Sequence, residues 1–269
     1  MKACILMENT ASRTGLQTEH GLSIYLETPR YKILADTGQT GHTWDNARTM
    51  GIDLNAVDIV IISHGHYDHT GGLLSFAEMN PDAEIYMQRT AAGAFYHGDR
   101  YIGMDRKILD LSNLHLVDGD VKINEELALF SGIVGRRRWP AGNRLLTEKV
   151  HGTDIQDSFR HEQYLVVTAQ DKKILISGCA HNGVLNILDR YRELYGSYPG
   201  AVISGFHMMK KSAYSEEETR DIEETAKELS GLPTIFYTGH CTGTPAFEIM
   251  SRYMPENLKA IHTGDILEL

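Results

Sequence analysis

Ser63-His64-Gly65-His66-Tyr67-Asp68-His69-Thr70-Gly71-Gly72 is the stretch on which the reading of this chain turns. It follows Asp58–Ser63 (Asp-Ile-Val-Ile-Ile-Ser), an unbroken β-branched run that suits a strand buried on both faces. It opens onto Gly72–Met79, which reads as a helix. His64 and His66 stand two apart, so near a strand end both rings can point to one side. Asp68 and His69 follow within the turn. Three imidazoles and a carboxylate within six residues form a nitrogen and oxygen donor set suited to Zn²⁺, Fe²⁺ or Mn²⁺. Gly65, Gly71 and Gly72 let the backbone turn tightly around an ion. A surface histidine cluster is the bland alternative, and a structured position after a core strand weighs against it. The spacing predicts a metal site.

Outward from this turn, the N-terminal half is rich in strand signals. Ala3–Met7, Leu22–Glu27 and Tyr31–Ala35 are short apolar runs, the last two joined across Thr28-Pro29-Arg30. A helix is expected near Trp44–Met50, with Gly51 as its cap, and a strand at Ala83–Met87. The segment from Gln88 to Asp110, which holds Tyr96, His97 and Tyr101, has no clear period and reads as a loop or lid. Strands are expected at Leu114–Val117, Leu127–Phe130, Tyr164–Thr168 and Lys173–Ser177, with Gln170-Asp171-Lys172 as a hairpin turn. The last third alternates: helix Val184–Tyr195, strand Ala201–Ser204, helix Ser215–Ser230, strand Thr234–Tyr237, helix Pro245–Met254, strand Ile266–Leu269. Ser215-Glu216-Glu217-Glu218 is a clear helix start, a serine cap with acids in the first turn. Strands followed by β–α alternation indicate an α/β layered protein with mixed sheets. No linker composition or repeat divides residues 1–269, so one domain is expected.

Composition narrows the function. Of 269 residues, 36 are acidic and 26 basic, a net charge of −10, which argues against a nucleic-acid partner. No apolar stretch approaches the roughly 18 residues of a membrane helix. The start turns polar at Glu8, too soon for a signal-peptide core. Cys4, Cys179 and Cys241 are odd in number and far apart, which suggests free thiols and a cytoplasmic location. A homodimer is the commonest closed assembly and carries only that base rate. Neither a Gly-x-Ser-x-Gly elbow nor a phosphate-cradling glycine loop occurs.

His64-x-His66-x-Asp68-His69 resembles the signature of the metallo-β-lactamase fold superfamily of metal-dependent hydrolases, and Ala35-Asp36-Thr37-Gly38 resembles that superfamily's first motif. Five stretches resemble one subgroup: Glu19–Ser23, Ser63–Gly72, Gly178–Gly183, Gly205–His207 and Thr238–Gly243. Its members are commonly labelled 7,8-dihydropterin-6-methyl-4-(β-D-ribofuranosyl)-aminobenzene-5′-phosphate synthase. The resemblance implies an αββα sandwich of two mixed sheets flanked by helices, with metals at one edge. It implies one ion on His64, His66 and a third histidine, and a second on Asp68, His69 and a later histidine matching His240. It also implies Asp36 as a brace for the metal loop. The third histidine and the acidic bridge are where this chain departs from the pattern. Arg160-His161-Glu162 stands in the first slot and Ser177-Gly178-Cys179-Ala180-His181 in the second. His181 is the preferred ligand, with His161 and Cys179 as alternatives; His161 is equally read as a surface residue, and Cys179 as a buried neighbour of the ligands. Without an acidic bridge, one firmly held ion and a second looser one are expected, Zn first, with Mn or Fe as alternatives.

A metal ion with an open position lowers the pKa of bound water toward ~7, which suits hydrolysis. Asp68 would orient the nucleophile; His207 would bind substrate, carry a proton or serve as a ligand, and His20 would do similar work from the first loop. Gly135-Arg136-Arg137-Arg138-Trp139-Pro140 is the one dense basic run. Arginine forks suit phosphate or carboxylate, and Trp139 suits a flat ring; Thr242-Gly243-Thr244, ahead of a helix, offers backbone N–H groups to an anion. The reading preferred from sequence is a hydrolase of a small anionic substrate, a phosphate ester of an aromatic or heterocyclic compound. The synthase that the subgroup label implies, a transferase releasing pyrophosphate, is the second reading. A non-catalytic metal-binding relative is the third.

Overall fold

Alternation along the strands builds the layers of the computed structural model, which describes residues 1–169 and 172–269. In strand Lys2–Met7, Ala3 and Ile5 enter one core, whereas Cys4 and Leu6 enter another on the opposite face. The same split runs through Lys32–Ala35 and Ile59–Ile61, so this sheet is covered on both sides. Its order is Ile266–Glu268, Lys2–Met7, Ser23–Glu27, Lys32–Ala35, Ile59–Ile61, Glu84–Gln88, Leu114–Val117. A second seven-stranded sheet runs Leu258–Ala260, Ile235–Thr238, Ala201–Ser204, Lys172–Ser177, Tyr164–Ala169, Leu127–Phe130, Val121–Lys122.

The central core joins Ile5, Ile24, Ile33 and Ile61 of the first sheet to Leu129, Val167, Ile174 and Ile203 of the second. Each such side chain, fully buried, contributes about 1.5–3 kcal/mol. Helices His42–Thr49 and Leu73–Met79 cover the outer face of the first sheet; Val184–Tyr195, Glu216–Ser230 and Thr244–Ser251 cover that of the second. The expected αββα sandwich of mixed sheets is the observed architecture. At Ser215 the capping box is complete, the hydroxyl accepting from the Glu218 N–H and the Glu218 carboxylate accepting from the Ser215 N–H.

Element ends differ from expectation by one to three residues, as helices His42–Thr49 and Thr244–Ser251 illustrate. One segment departs further. The expected loop or lid between Gln88 and Asp110 holds strands Phe95–His97 and Arg100–Tyr101, which join Leu146–Val150 and Thr153–Gln156 in a four-stranded sheet. These strands are short and lean on a small cluster of Phe95, Ile102, Leu146 and Phe159, so no long alternating pattern betrays them. Gln170 and Asp171 of the expected hairpin turn lie outside the described residues.

Parallel pairing aligns the ends that matter. Lys32–Ala35 runs parallel to Ile59–Ile61, and Lys172–Ser177, Ala201–Ser204 and Ile235–Thr238 run parallel to one another. Each motif turn follows the C-terminal end of one of these strands, which gathers Asp36, His64–His69, Cys179–His181, His207 and His240.

Candidate metal centre

Six side chains converge in two overlapping groups, and His66 stands beside them. Asp68, His69, Cys179 and His240 present ligand atoms all within 4.8 Å of one another, and so do His64, Cys179 and His181. Cys179 belongs to both. The His66 ring lies 4.6 Å from that of His64 and 4.9 Å from that of His181, centroid to centroid. Backbone conformation is costly here: Asp36, Ala180, His207 and His240 have φ of 58°, 53°, 49° and 49°. Non-glycine residues hold such angles only where the surrounding structure over-determines them.

The rings are oriented by partners on Nδ1. Asp36 accepts from the Ser63 N–H at 2.7 Å with Oδ1, and with Oδ2 from the Ser63 hydroxyl and from His69 Nδ1, both at 2.7 Å. With its one proton given to Asp36, Ser63 Oγ accepts from His64 Nδ1 at 2.8 Å. Asn143 clamps His181 twice, its amide donating to the His181 carbonyl at 2.7 Å and its Oδ1 accepting from Nδ1 at 3.0 Å. Asn9 treats His240 alike, at 3.2 and 3.0 Å. A ring whose Nδ1 donates keeps a lone pair on Nε2. The Nε2 atoms of His64, His181 and His240 are buried and make no hydrogen bond, and neither does that of His66. Orphaned nitrogens of this kind are costly in a core, and this donor set fits a divalent cation.

Charge states at His64, His66, His181 and Asp68 agree with that fit. Burial, with the neighbouring rings, holds His64 and His181 well below the ordinary imidazole range. Burial, with His161, brings His66 down to about 3. Burial works to raise Asp68, but His69, His240 and His20 outweigh it and keep the carboxylate ionised. His69 goes the other way: burial is outweighed by Asp36 and Asp68, and it is pushed up to about 9. Its Nε2, 3.2 Å from Cys179 Sγ and 3.7 Å from Asp68 Oδ2, would exchange a proton for a metal. Burial pushes the Cys179 thiol up.

The sites expected from sequence fare unevenly. His64, His66, Asp68, His69, His181, His240, Asp36 and Cys179 are brought together. His20 Nε2 stands 3.4 Å from Asp68 Oδ2, and both line a pocket of about 630 Å³ with His181 and His207. His161 is no surface residue: it is buried, accepting from the Gly65 N–H on Nδ1 at 3.1 Å and donating from Nε2 to Asp157 at 3.0 Å. Both nitrogens are engaged, so of the two histidines at the third slot only His181 keeps a free lone pair.

The arginine run does not reach the metal pocket. Arg137 pairs with Asp189 and Glu228, and Arg138 with Asp221, Glu224 and Glu228, all acids of the two nearest helices. Arg136 donates to the carbonyls of Ile133 and Gly135 and stacks over Trp139, 5.7 Å from the ring centroid. The sequence reading missed the acids that the fold brings beside these arginines. Trp139 and Arg138 line instead an adjoining cavity of about 240 Å³, which shares His207 with the metal pocket. Thr242 does not face the metal pocket either; its hydroxyl lies 2.6 Å from that of Thr238 and accepts from the Phe206 N–H at 2.9 Å.

Comparison with known proteins agrees with this geometry. The model of the metallo-beta-lactamase superfamily matches residues 17–220, which include Asp36, His64–His69 and His181. The chain belongs to the metallo-beta-lactamase superfamily. Within it, the chain is 28% identical over 268 residues to an uncharacterized protein, MJ0448, of Methanocaldococcus jannaschii, covering 98% of each. It is 25% identical to the 7,8-dihydropterin-6-methyl-4-(beta-D-ribofuranosyl)-aminobenzene-5'-phosphate synthase of the same organism, covering 93% of this chain and 90% of the synthase. Among solved structures, Tm1679, described as a metal-dependent hydrolase of the beta-lactamase superfamily, superposes with a TM-score of 0.85 at 30% identity, covering 100% of this chain and 99% of that one.

Several residues of this superfamily member were invisible in its sequence. Asn9 and Asn143 hold rings 231 and 38 residues away. Glu162 accepts from the His181 and Asn182 N–H groups at 2.7 and 2.9 Å and from the Tyr164 hydroxyl at 2.5 Å, fixing the Cys179–His181 turn. Among the described residues, no helix is long and apolar enough to cross a membrane.

Proposed function

We propose that this protein is a metal-dependent hydrolase of a small anionic substrate, a phosphate ester of an aromatic or heterocyclic compound. The observation that carries the reading is the set of buried imidazoles whose Nδ1 partners leave lone pairs on Nε2 beside Asp68. His64, His66 and His181 would hold one ion, Asp68, His69 and His240 a second, with Cys179 Sγ between them. Bound there, divalent ions, Zn first and Mn or Fe as alternatives, supply Lewis acidity and lower the pKa of water. The Asp68 carboxylate, beside His20 Nε2, orients the attacking water. His207 borders both the pocket and the adjoining cavity, where Trp139, Pro140, Leu145 and Tyr214 offer apolar walls to a flat ring. A homodimer and a cytoplasmic location remain part of this proposal on the grounds of sequence alone.

A transferase reading has its own support, in the identity to the synthase over nearly the whole chain. The product separates the two. Metal-loaded protein is to be given a panel of aryl and nucleoside phosphates, and separately a dihydropterin pyrophosphate with an aminobenzene ribofuranosyl phosphate. Orthophosphate release that a chelator abolishes is the expected result. Pyrophosphate release would favour the synthase, and metal-loaded protein inert on both would overturn the enzymatic reading.

A further inference from the structure

The pocket in front of the ligands reverses the sign of the chain. The protein carries a net charge of −10. Among the described residues lining this pocket, Asp68 is the only acid, whereas Arg100 and Lys211 are permanent cations. Neither cation makes an ion pair among the described residues. Arg100, on strand Arg100–Tyr101 of the small sheet, has its guanidinium carbon 4.8 Å from the centroid of the Tyr67 ring, one residue before Asp68. That cation–π contact with Tyr67 holds the guanidinium at the pocket wall with no carboxylate paired to it. Lys211 comes from the segment after His207, where its neighbour Lys210 is tied to both oxygens of Glu218 at 2.7 Å. The cations of the adjoining cavity, Arg138 and Lys210, are thus neutralised by acids, and the two facing the metal pocket are not.

We propose that Arg100 and Lys211 form the anion-recognition clamp of the metal pocket, gripping the phosphate of the substrate. The assignment rests on the proposed phosphate-ester reading and adds to it the residues that select the anion. Arg100 supplies a planar fork to two phosphate oxygens, and Lys211 a point charge. Cations that are in no ion pair focus anions into a cleft and raise their local concentration. Both side chains are exposed, so their contribution is screened by salt.

The probe is inorganic phosphate, titrated calorimetrically into zinc-loaded full-length protein at low and high salt. Arg100→Met keeps a stem over Tyr67 and removes the charge; Lys211→Ala removes the other; zinc content and thermal midpoint are checked on each variant. Each substitution is expected to weaken phosphate about tenfold. The double variant should lose most of the salt dependence, and Arg100→Lys should recover part of the loss. A double variant that binds phosphate as tightly as the parent, with the same salt dependence, overturns the clamp and leaves the hydrolase reading intact. Parent protein that loads zinc yet binds no phosphate overturns the phosphate-ester reading and the clamp with it.

Discussion

Histidine binds a metal through a nitrogen that carries no proton, and here that nitrogen is selected by side chains from distant parts of the chain. Asp36 is the most connected of them, serving Ser63 and His69 directly and His64 through Ser63. In Asp36→Asn an amide replaces one carboxylate oxygen, so either Ser63 or His69 meets a donor where it had an acceptor. Metal affinity is expected to fall about 10–100-fold, measured by competition with a chromophoric chelator; unchanged affinity would mean that Asp36 does not orient the ligands. The ligand-bearing turn could be read from sequence because its donors are packed into a few residues. The third slot could not, because His161 and His181 differ only in what their ring nitrogens meet: Asp157 and Gly65 for one, Asn143 for the other. Asn9 was hidden for the same reason, since a partner 231 residues away leaves no local signal.

At the level of elements, the metal turn is pressed against its neighbours. A Cβ on Gly71 would lie 2.0 Å from the Gln39 carbonyl oxygen and 2.8 Å from that of Tyr67. Backbone on both sides cannot yield cheaply, so Gly71→Ala should destabilise the protein by about 1–3 kcal/mol. Urea denaturation measures it, and an unchanged midpoint would show that the turn has slack. Strand Ile59–Ile61 and helix Glu216–Ser230 were readable because an unbroken apolar run marks the one and a capping box the other. The small sheet was not, because its strands bury few apolar residues and its two hairpins meet across more than forty positions, as Glu148 with Phe95. The arginine run failed for a related reason: charge density is visible in sequence, but the acids of helices Val184–Tyr195 and Glu216–Ser230 that neutralise it are not local.

For the whole molecule, the layers tie stability to pH at the alkaline end. Tyr25 is buried on the outer face of the first sheet, and burial, with Glu27, pushes its phenol up to about 12. The folded state holds this proton more tightly than the unfolded state, whose phenol titrates near ~10. The stabilisation is therefore complete below pH ~10 and is lost as pH rises toward 12. Thermal midpoints should stay level to about pH 10 and then fall, and Tyr25→Phe should shrink that fall. An identical decline in the variant would place the alkaline sensitivity elsewhere. The fold as a whole, two sheets between helices with every motif turn at one edge, could be anticipated from chain order. Which strands neighbour one another could not, because the order within each sheet depends on contacts with no sequence period.

Metal content per chain, by elemental mass spectrometry on untagged protein purified without added metal, tests the centre most directly. About two divalent ions per chain are expected in the parent, and about one in His181→Ala, which removes a ligand of one position and leaves Asp68, His69 and His240 in place. One ion in both would mean that Cys179 does not join the two positions into a pair. No ion in the parent, and none taken up when zinc, manganese or iron is supplied, would contradict the metal centre itself.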